Sequence, residues 1–300
     1  MIIKRNNIVC NNKITESNKL YAILICKIFN TADFKLWLNW YINFIKCDHI
    51  YIINDNSSID IKALVKQFEN KITLLNLNEI EEIENKSDLQ THTYNKIIFN
   101  YIKPNINDII ITPDSDEFWW YNYDKFTSFK KCISDEFDKI NEETLLVANI
   151  LMCNNYFLNS RSQEENFNDI SKYRCNIVSA EHKPIIRFNN NKIIHFHLGT
   201  KSNHFLTNKH LWLANFYGSG VLYDYHLRLY HYRLTTIEEY NQKLINTLIK
   251  YEITNGKRFY MANDINDFMK KSYSNDNKEE DLKYNVLDLT INNTIQKFLK

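Results

Sequence analysis

Two carboxylates stand one residue apart in Asp114-Ser115-Asp116, directly after the apolar run Ile109-Ile110-Ile111-Thr112 and just before Glu117 and Phe118-Trp119-Trp120. The run is rich in β-branched residues and follows a helical segment ended by Pro104, the pattern of a short buried parallel strand. Open α/β sheets gather their ligands beyond the C-terminal ends of the strands. Carboxylate oxygens at such a place suit a hard divalent ion, Mg²⁺ or Mn²⁺. An ion held by two side chains keeps positions open for phosphate oxygens, so the pattern points to chemistry on a diphosphate. An Asp after Pro113 also serves turns. The strand end and the acidic-aromatic run behind it favour the metal over the turn.

Other residues could complete such a site. Asp55-Asn56-Ser57-Ser58-Ile59-Asp60 follows a second apolar run, His49–Asn54, and would lie on the same sheet edge. Its Asx and Ser side chains tighten a loop, or Asp55, Ser57 and Asp60 hold a nucleoside, as acids after early strands do in nucleotide-binding sheets; the residues alone leave both readings open. His195-Phe196-His197 places two imidazoles on one face of a strand, where they could ligate a metal or form a satisfied polar face. His231 lies in Leu229-Tyr230-His231-Tyr232-Arg233. A lone histidine is usually structural, but Arg233 beside it offers forked donors to phosphate oxygens. Lys183 and Arg187, flanking another short strand, could do the same.

The elements that must position these residues alternate. Tyr21–Phe29 reads as a buried strand, and Phe34, Trp37, Leu38, Tyr41, Ile42 and Ile45 recur at helical spacing after Thr31. Trp37 and Trp40 read as core. His49–Asn54 is a second strand, Ile61–Glu69 a helix, Ile72–Leu77 a third strand, 78–88 an acidic loop, and Leu89–Lys103 a helix leading to the strand before the Asp pair. Strands alternating with helices predict a parallel, doubly wound α/β sheet with right-handed crossovers. Beyond residue 140, Thr144–Cys153, Arg174–Ser179, Pro184–Phe188 and Lys192–Leu198 read as shorter strands. Thr235–Ile253 is a helix with Thr235 and Glu238 in capping-box spacing, and a terminal helix is expected near Val286–Leu299.

Composition excludes several classes. With 37 basic and 36 acidic residues the formal net charge is +1, which gives no field for nucleic acid. The six cysteines form no Cys-x-x-Cys pair, and Cys26 and Cys153 sit inside apolar runs, the pattern of buried thiols in a reducing compartment without zinc. Lys, Asn and Asp interrupt every apolar segment and the first residues lack a signal-peptide core. The expectation is a cytoplasmic protein with no transmembrane segment, at most peripheral to a membrane.

In order along the chain these pieces resemble the GT-A-fold glycosyltransferases of the family-2-like and family-92-like group. The resemblance covers most of residues 20–245. It rests on Trp37–Trp40 with Tyr41, Ile50–Asp60, Gln90 with Tyr94, Asp114–Phe118 (DSDEF), Lys183–Arg187, His195–His197 and His231–Lys243 (HYRLTTIEEYNQK). The DSDEF block and the His-Tyr-Arg…Glu-Glu-Tyr…Lys block are the specific ones. The chain departs from the family at Lys27-Ile28-Phe29-Asn30, which lacks the usual acid, and at Leu234-Thr235, which replaces the usual Lys-Ser.

The resemblance implies a GT-A-like, mostly parallel sheet in a single domain over residues 1–300, with a core of about 20–245 and a helical C-terminal extension over 246–300. It implies transfer of a sugar from a nucleotide-diphosphate donor, UDP-linked, to a glycan or glycoconjugate acceptor. Mn²⁺ or Mg²⁺ would sit on Asp114 and Asp116, with His231 as a third ligand or a phosphate donor. Asp55, Ser57, Asp60, Gln90, Lys183, Arg187 and Arg233 would contact the nucleotide. The acceptor's proton would go to Glu117 or Glu181, between which the sequence does not choose. Two rival classes use the same residues. A metal-dependent phosphoesterase or nucleotide hydrolase would set the Asp pair and histidines around a water. A non-catalytic carbohydrate-binding protein would hold sugars on its aromatics without needing metal.

Overall fold

Runs of Ile, Leu and Val bounded by Asn, Asp and Ser become strands here, and apolar residues at three- and four-residue spacing become the helices that cover them. A computed structural model describes residues 14–28, 31–80, 89–140, 145–152, 178–188, 226–231 and 290–299. For 89–92, 139–140, 145–152, 178–184, 231 and 290–292 it describes the backbone alone. The elements are β1 (Leu20–Cys26), α1 (Thr31–Asn39) continued by a π-helical turn (Trp40–Phe44), β2 (His49–Asn54), α2 (Ile61–Val65) with a 3₁₀ turn (Lys66–Phe68), and β3 (Ile72–Asn76). Then come α3 (Leu77–Ile80), α4 (Leu89–Lys96) continued by π-helical Ile97–Ile102, β4 (Ile109–Ile111), β5 (Glu117–Tyr121) and α5 (Phe129–Ile140). The described chain ends with β6 (Leu145–Met152), β7 (Val178–Arg187), β8 (Leu227–His231) and α6 (Thr290–Phe298).

The strands form one sheet in the order β3-β2-β1-β4-β7-β6-β8-β5. β1 is parallel to β2 and β4, and β2 to β3. β7 runs antiparallel to β4 and β6, β8 parallel to β6, and β5 antiparallel to β8. Followed across the sheet, these pairings give β1–β4, β6 and β8 one direction and reverse only β5 and β7. The sheet is mostly parallel, as the alternation predicts. The C-terminal ends of β2, β4, β6 and β8 therefore share an edge with the first residues of β5 and β7.

Side chains alternate between two cores, one on each face of the sheet. Leu20, Ala22 and Leu24 of β1 and Ile109 and Ile111 of β4 pack with α1, its π turn, α5 and α6. Ile23 and Ile110, from the same strands, pack with Tyr94, Ile97, Ile98 and Ile102 of the α4 arm. Helix α6 belongs to the first core: Trp120 Nε1 donates to Thr294 Oγ1 at 3.2 Å, and the Phe298 ring lies 5.1 Å from Phe44 and 5.0 Å from Tyr123. Among the described residues no helix is long and apolar enough to cross a membrane.

Several elements differ from the sequence reading. The two strands read at Arg174–Ser179 and Pro184–Phe188 meet in one strand, β7, that runs through Pro184. Pro184 lacks a ladder donor. It stands one residue past Ile185, where the pairing with β4 ends, so no bond on that side is lost. Residues 78–80 are helical and not loop, because Asn76 is held by Glu79 through its amide (3.4 Å) and side chain (2.8 Å). β5 and β8, to which the sequence reading gives no element, pair with each other at the far edge of the sheet. Helix α5, invisible at first reading, starts where Ser128 Oγ accepts the Lys131 amide at 3.1 Å and buries Phe129, Cys132, Ile133, Glu136 and Phe137 on one stripe. The strand expected at Lys192–Leu198 and the helix at Thr235–Ile253 lie outside the described residues.

Candidate active site at the C-terminal edge of the sheet

β4 stops at Ile111, and the chain turns through Thr112 and Pro113 to Asp114, Ser115 and Asp116, all three half-buried. Glu117 closes this turn twice. Its amide donates to Asp114 O at 3.1 Å, and its Oε2 accepts the Asp114 amide at 2.8 Å. Glu117 itself is buried, at 1% exposure. The third acid of the motif is thus a clamp on the loop that carries the other two.

The loop is also gripped from α1. Trp37 Nε1 donates to Asp114 O at 3.0 Å, Tyr41 Oη to Glu117 O at 2.9 Å, and Trp40 Nε1 to Trp119 O at 2.7 Å. The Tyr41 hydroxyl in turn accepts the Trp119 amide at 3.2 Å. Burial pushes that hydroxyl well above the ordinary tyrosine range, so it keeps its proton and its role as donor. Reading these rings as core is right for their burial and misses their polar task. The signal was available: at 37, 40 and 41 one helical face carries aromatics that all bear a donor.

The second loop lies past β2, on the same edge. Asp55 donates its amide to Cys26 O at 2.8 Å, and its charge adds to burial in raising the Cys26 thiol pKa. Ser57 Oγ accepts the Ile28 amide at 2.8 Å, and Asn54 Oδ1 accepts the Ser57 amide at 3.0 Å. Asp60 Oδ1 caps α2 through the Ala63 amide at 3.0 Å. Ser57 and Asp60 therefore each hold backbone, the local task that Asx and Ser loops perform, and Asp55 is half-buried at the strand end. Asn56 sits in the left-handed region at φ 54°, which an Asn tolerates better than most residues.

The remaining candidates divide by topology. His231 ends β8 and is the register partner of Glu117 on one side and Met152 on the other, which puts it on the site edge; its side chain lies outside the described ones. Glu181 and Lys183 fall in the part of β7 before Ile185, beyond the end of β4 and on the same edge, again with side chains outside the description. Gln90 is in the first turn of α4, which returns from that edge to the start of β4. Arg187 is a correction. It pairs with Ile109 at the opposite end of β4, is 4% exposed, and lies 4.8 Å over the Phe137 ring. The antiparallel direction of β7 carries it to the edge opposite the Asp pair. Arg233, His195 and His197 lie outside the described residues.

Two half-buried carboxylates on a turn fixed at both ends fit a hard divalent ion by their oxygen chemistry. Among the described residues no group of three His, Cys, Asp or Glu side chains could hold a metal.

No protein-family model and no curated protein matches the sequence. Solved structures overlap part of the chain. A crystal structure of S. aureus TarS matches at 14% identity and TM-score 0.28, over 48% of this chain and 23% of that one. The 4-diphosphocytidyl-2C-methyl-D-erythritol synthase of Anaerococcus prevotii matches at 10% identity and TM-score 0.28, over 48% and 59%. Glucosyl-3-phosphoglycerate synthase of Mycobacterium tuberculosis, solved with Mn²⁺, UDP and glucosyl-3-phosphoglycerate, matches at 8% identity and TM-score 0.27, over 46% and 44%. The chain spans less than two thirds of the length of each. Overlaps at these TM-scores establish neither family nor activity.

Proposed function

We propose that this chain is a metal-dependent glycosyltransferase that moves a sugar from a nucleotide-diphosphate donor, UDP-linked, to a glycan or glycoconjugate acceptor. The observation that carries the reading is the Asp114–Glu117 turn: two half-buried carboxylates on a clamped loop, past a central strand, on the sheet edge shared with the Asp55 loop and His231. The order of motifs along the chain is that of GT-A glycosyltransferases, and the mostly parallel sheet agrees with it.

In this reading Asp114 and Asp116 hold Mn²⁺ or Mg²⁺, which when bound neutralises charge on the leaving diphosphate. Asp55 contacts the nucleoside, with Ser57 and Asp60 shaping its loop and Gln90 facing it from α4. Lys183 and Arg233 meet phosphate oxygens, and His231 serves as third ligand or phosphate donor. Glu117 has one oxygen engaged by the Asp114 amide. We assign Glu117 to keeping the turn in shape and Glu181, the other candidate base, to taking the acceptor's proton. Helix α6 is read as part of the same domain, since it closes the core behind β5.

The test is a panel of nucleotide sugars with Mn²⁺ and mixed glycan acceptors, scored for nucleotide release and for a mass increase on acceptor. Acceptor-dependent release with one donor is the expected result. Release at the same rate without acceptor would identify a nucleotide hydrolase instead, and sugar binding indifferent to EDTA a carbohydrate-binding protein.

A further inference from the structure

We infer that Trp37 and Tyr41 are positioning residues, which hold the carbonyls of Asp114 and Glu117 and thereby set the affinity of the site for a divalent ion. The inference rests on the metal role proposed for the Asp pair. Its basis is how the open side of β5 is covered. β5 stands last in the strand order, with β8 on its paired side. On its other side the backbone groups of Glu117 and Trp119 meet side chains of the π-helical turn that continues α1, where a strand would be. The Tyr41 hydroxyl does both jobs of a missing strand, donating to Glu117 O (2.9 Å) and accepting from Trp119 N (3.2 Å). Trp40 takes Trp119 O (2.7 Å), and Trp37 reaches past the strand to Asp114 O (3.0 Å).

All three rings are 0% exposed; Trp37 packs on Tyr41 at 4.4 Å, and Trp40 packs on Phe118 of β5 at 5.5 Å. Such rings cannot follow a loop that moves. The turn carrying the two carboxylates is therefore held in one shape by buried rings of the neighbouring helical segment. Groups that orient ligands in this way typically change metal affinity about 10–100-fold when removed.

The test compares Tyr41→Phe and Trp37→Phe with Trp120→Phe. Trp120 loses a buried indole bond of the same kind, to Thr294 on α6, without touching the acidic turn. Free Mn²⁺ followed by electron paramagnetic resonance, at saturating UDP, gives metal affinity without reference to turnover. Mn²⁺ should bind about 10-fold or more weakly in Tyr41→Phe and Trp37→Phe, and as in wild type in Trp120→Phe, with circular dichroism confirming folded protein. Wild-type affinity in the first two variants would overturn the inference and leave the Asp pair's metal role standing; so would an equal loss in Trp120→Phe. A wild-type protein that binds no Mn²⁺ would overturn the metal role and the inference together. If Tyr41→Phe does not fold, Trp37→Phe, which deletes a single bond, decides the matter by the same criteria.

Discussion

The two edges of the sheet both carry aspartates, and they use them in opposite ways. At the N-terminal edge Asp108 Oδ1 accepts the Lys19 amide at 2.7 Å and its Oδ2 the Asn105 amide at 2.8 Å, while Asp48 Oδ2 accepts the Leu20 amide at 2.8 Å and meets Lys130 Nζ at 3.2 Å. These carboxylates fasten the chain where β1 and β4 begin. At the C-terminal edge that fastening falls to aromatic donors and to Glu117, and Asp114 and Asp116 ride half-buried on the loop so fixed. Here the acids before β2 and β4 tie the sheet together, and the Asp pair after β4 stands where open α/β sheets meet their ligands. The distinction lies in the order of strand and acid, which a sequence records.

The sharpest way to break this contrast is to remove one acid from each edge. Asp116→Ala, or EDTA on the wild type, should lower turnover at least about 1000-fold, the several kcal/mol that metal stabilisation of a leaving group supplies, with the fold intact by circular dichroism. Retention of wild-type turnover would put the metal elsewhere. Asp108→Ala should do the reverse. It takes a buried, charged acceptor from the Lys19 and Asn105 amides and should cost about 1–3 kcal/mol in urea unfolding, with turnover per folded molecule unchanged. A loss of specific activity there would erase the difference between the edges.

Much of the C-terminal edge is legible in the sequence because β1, β2 and β3 are local, each one crossover from the next, and β4 returns beside β1 after the same strand-helix alternation. The second half of the sheet is not local. β5 pairs with β8 across more than a hundred residues, and nothing at Phe118-Trp119-Trp120 names Leu227–His231 as its partner. All five β5 residues are buried, so the strand shows no alternation to read. Arg187 is misplaced for a related reason. Its strand was read without its direction, and the antiparallel pairing Ile109 to Arg187 sends it to the wrong edge. Trp37 and Trp40 are read as core because burial and hydrogen bonding leave the same apolar spacing on a helix.

Smaller effects sharpen the contrast further. Asp55→Ala should weaken UDP binding by about 1–3 kcal/mol in calorimetry, the cost of leaving a buried partner unpaired; an unchanged dissociation constant would take Asp55 out of the site. The smallest effect belongs to the N-terminal edge, at His49, whose Nε2 lies 2.8 Å from Thr73 Oγ1. Burial lowers its pKa below the ordinary 6.5. The unfolded chain then takes up a proton before the folded one, so stability is full above pH of about 6.5 and declines as pH falls through the lowered value. Thermal melts from pH 7.5 down to 5 should show this decline reduced in His49→Gln. An identical decline in the variant would assign it to other groups.

The central claim is that Asp114 and Asp116 hold a divalent ion against a nucleotide diphosphate. Calorimetric titration of UDP into wild type and Asp114→Asn, each with Mn²⁺ and with EDTA, addresses it most directly. The account predicts UDP binding to the wild type that Mn²⁺ strengthens at least about tenfold, and no such strengthening in Asp114→Asn. UDP binding that is equal with Mn²⁺ and EDTA, or a Mn²⁺ effect that survives in Asp114→Asn, would contradict it.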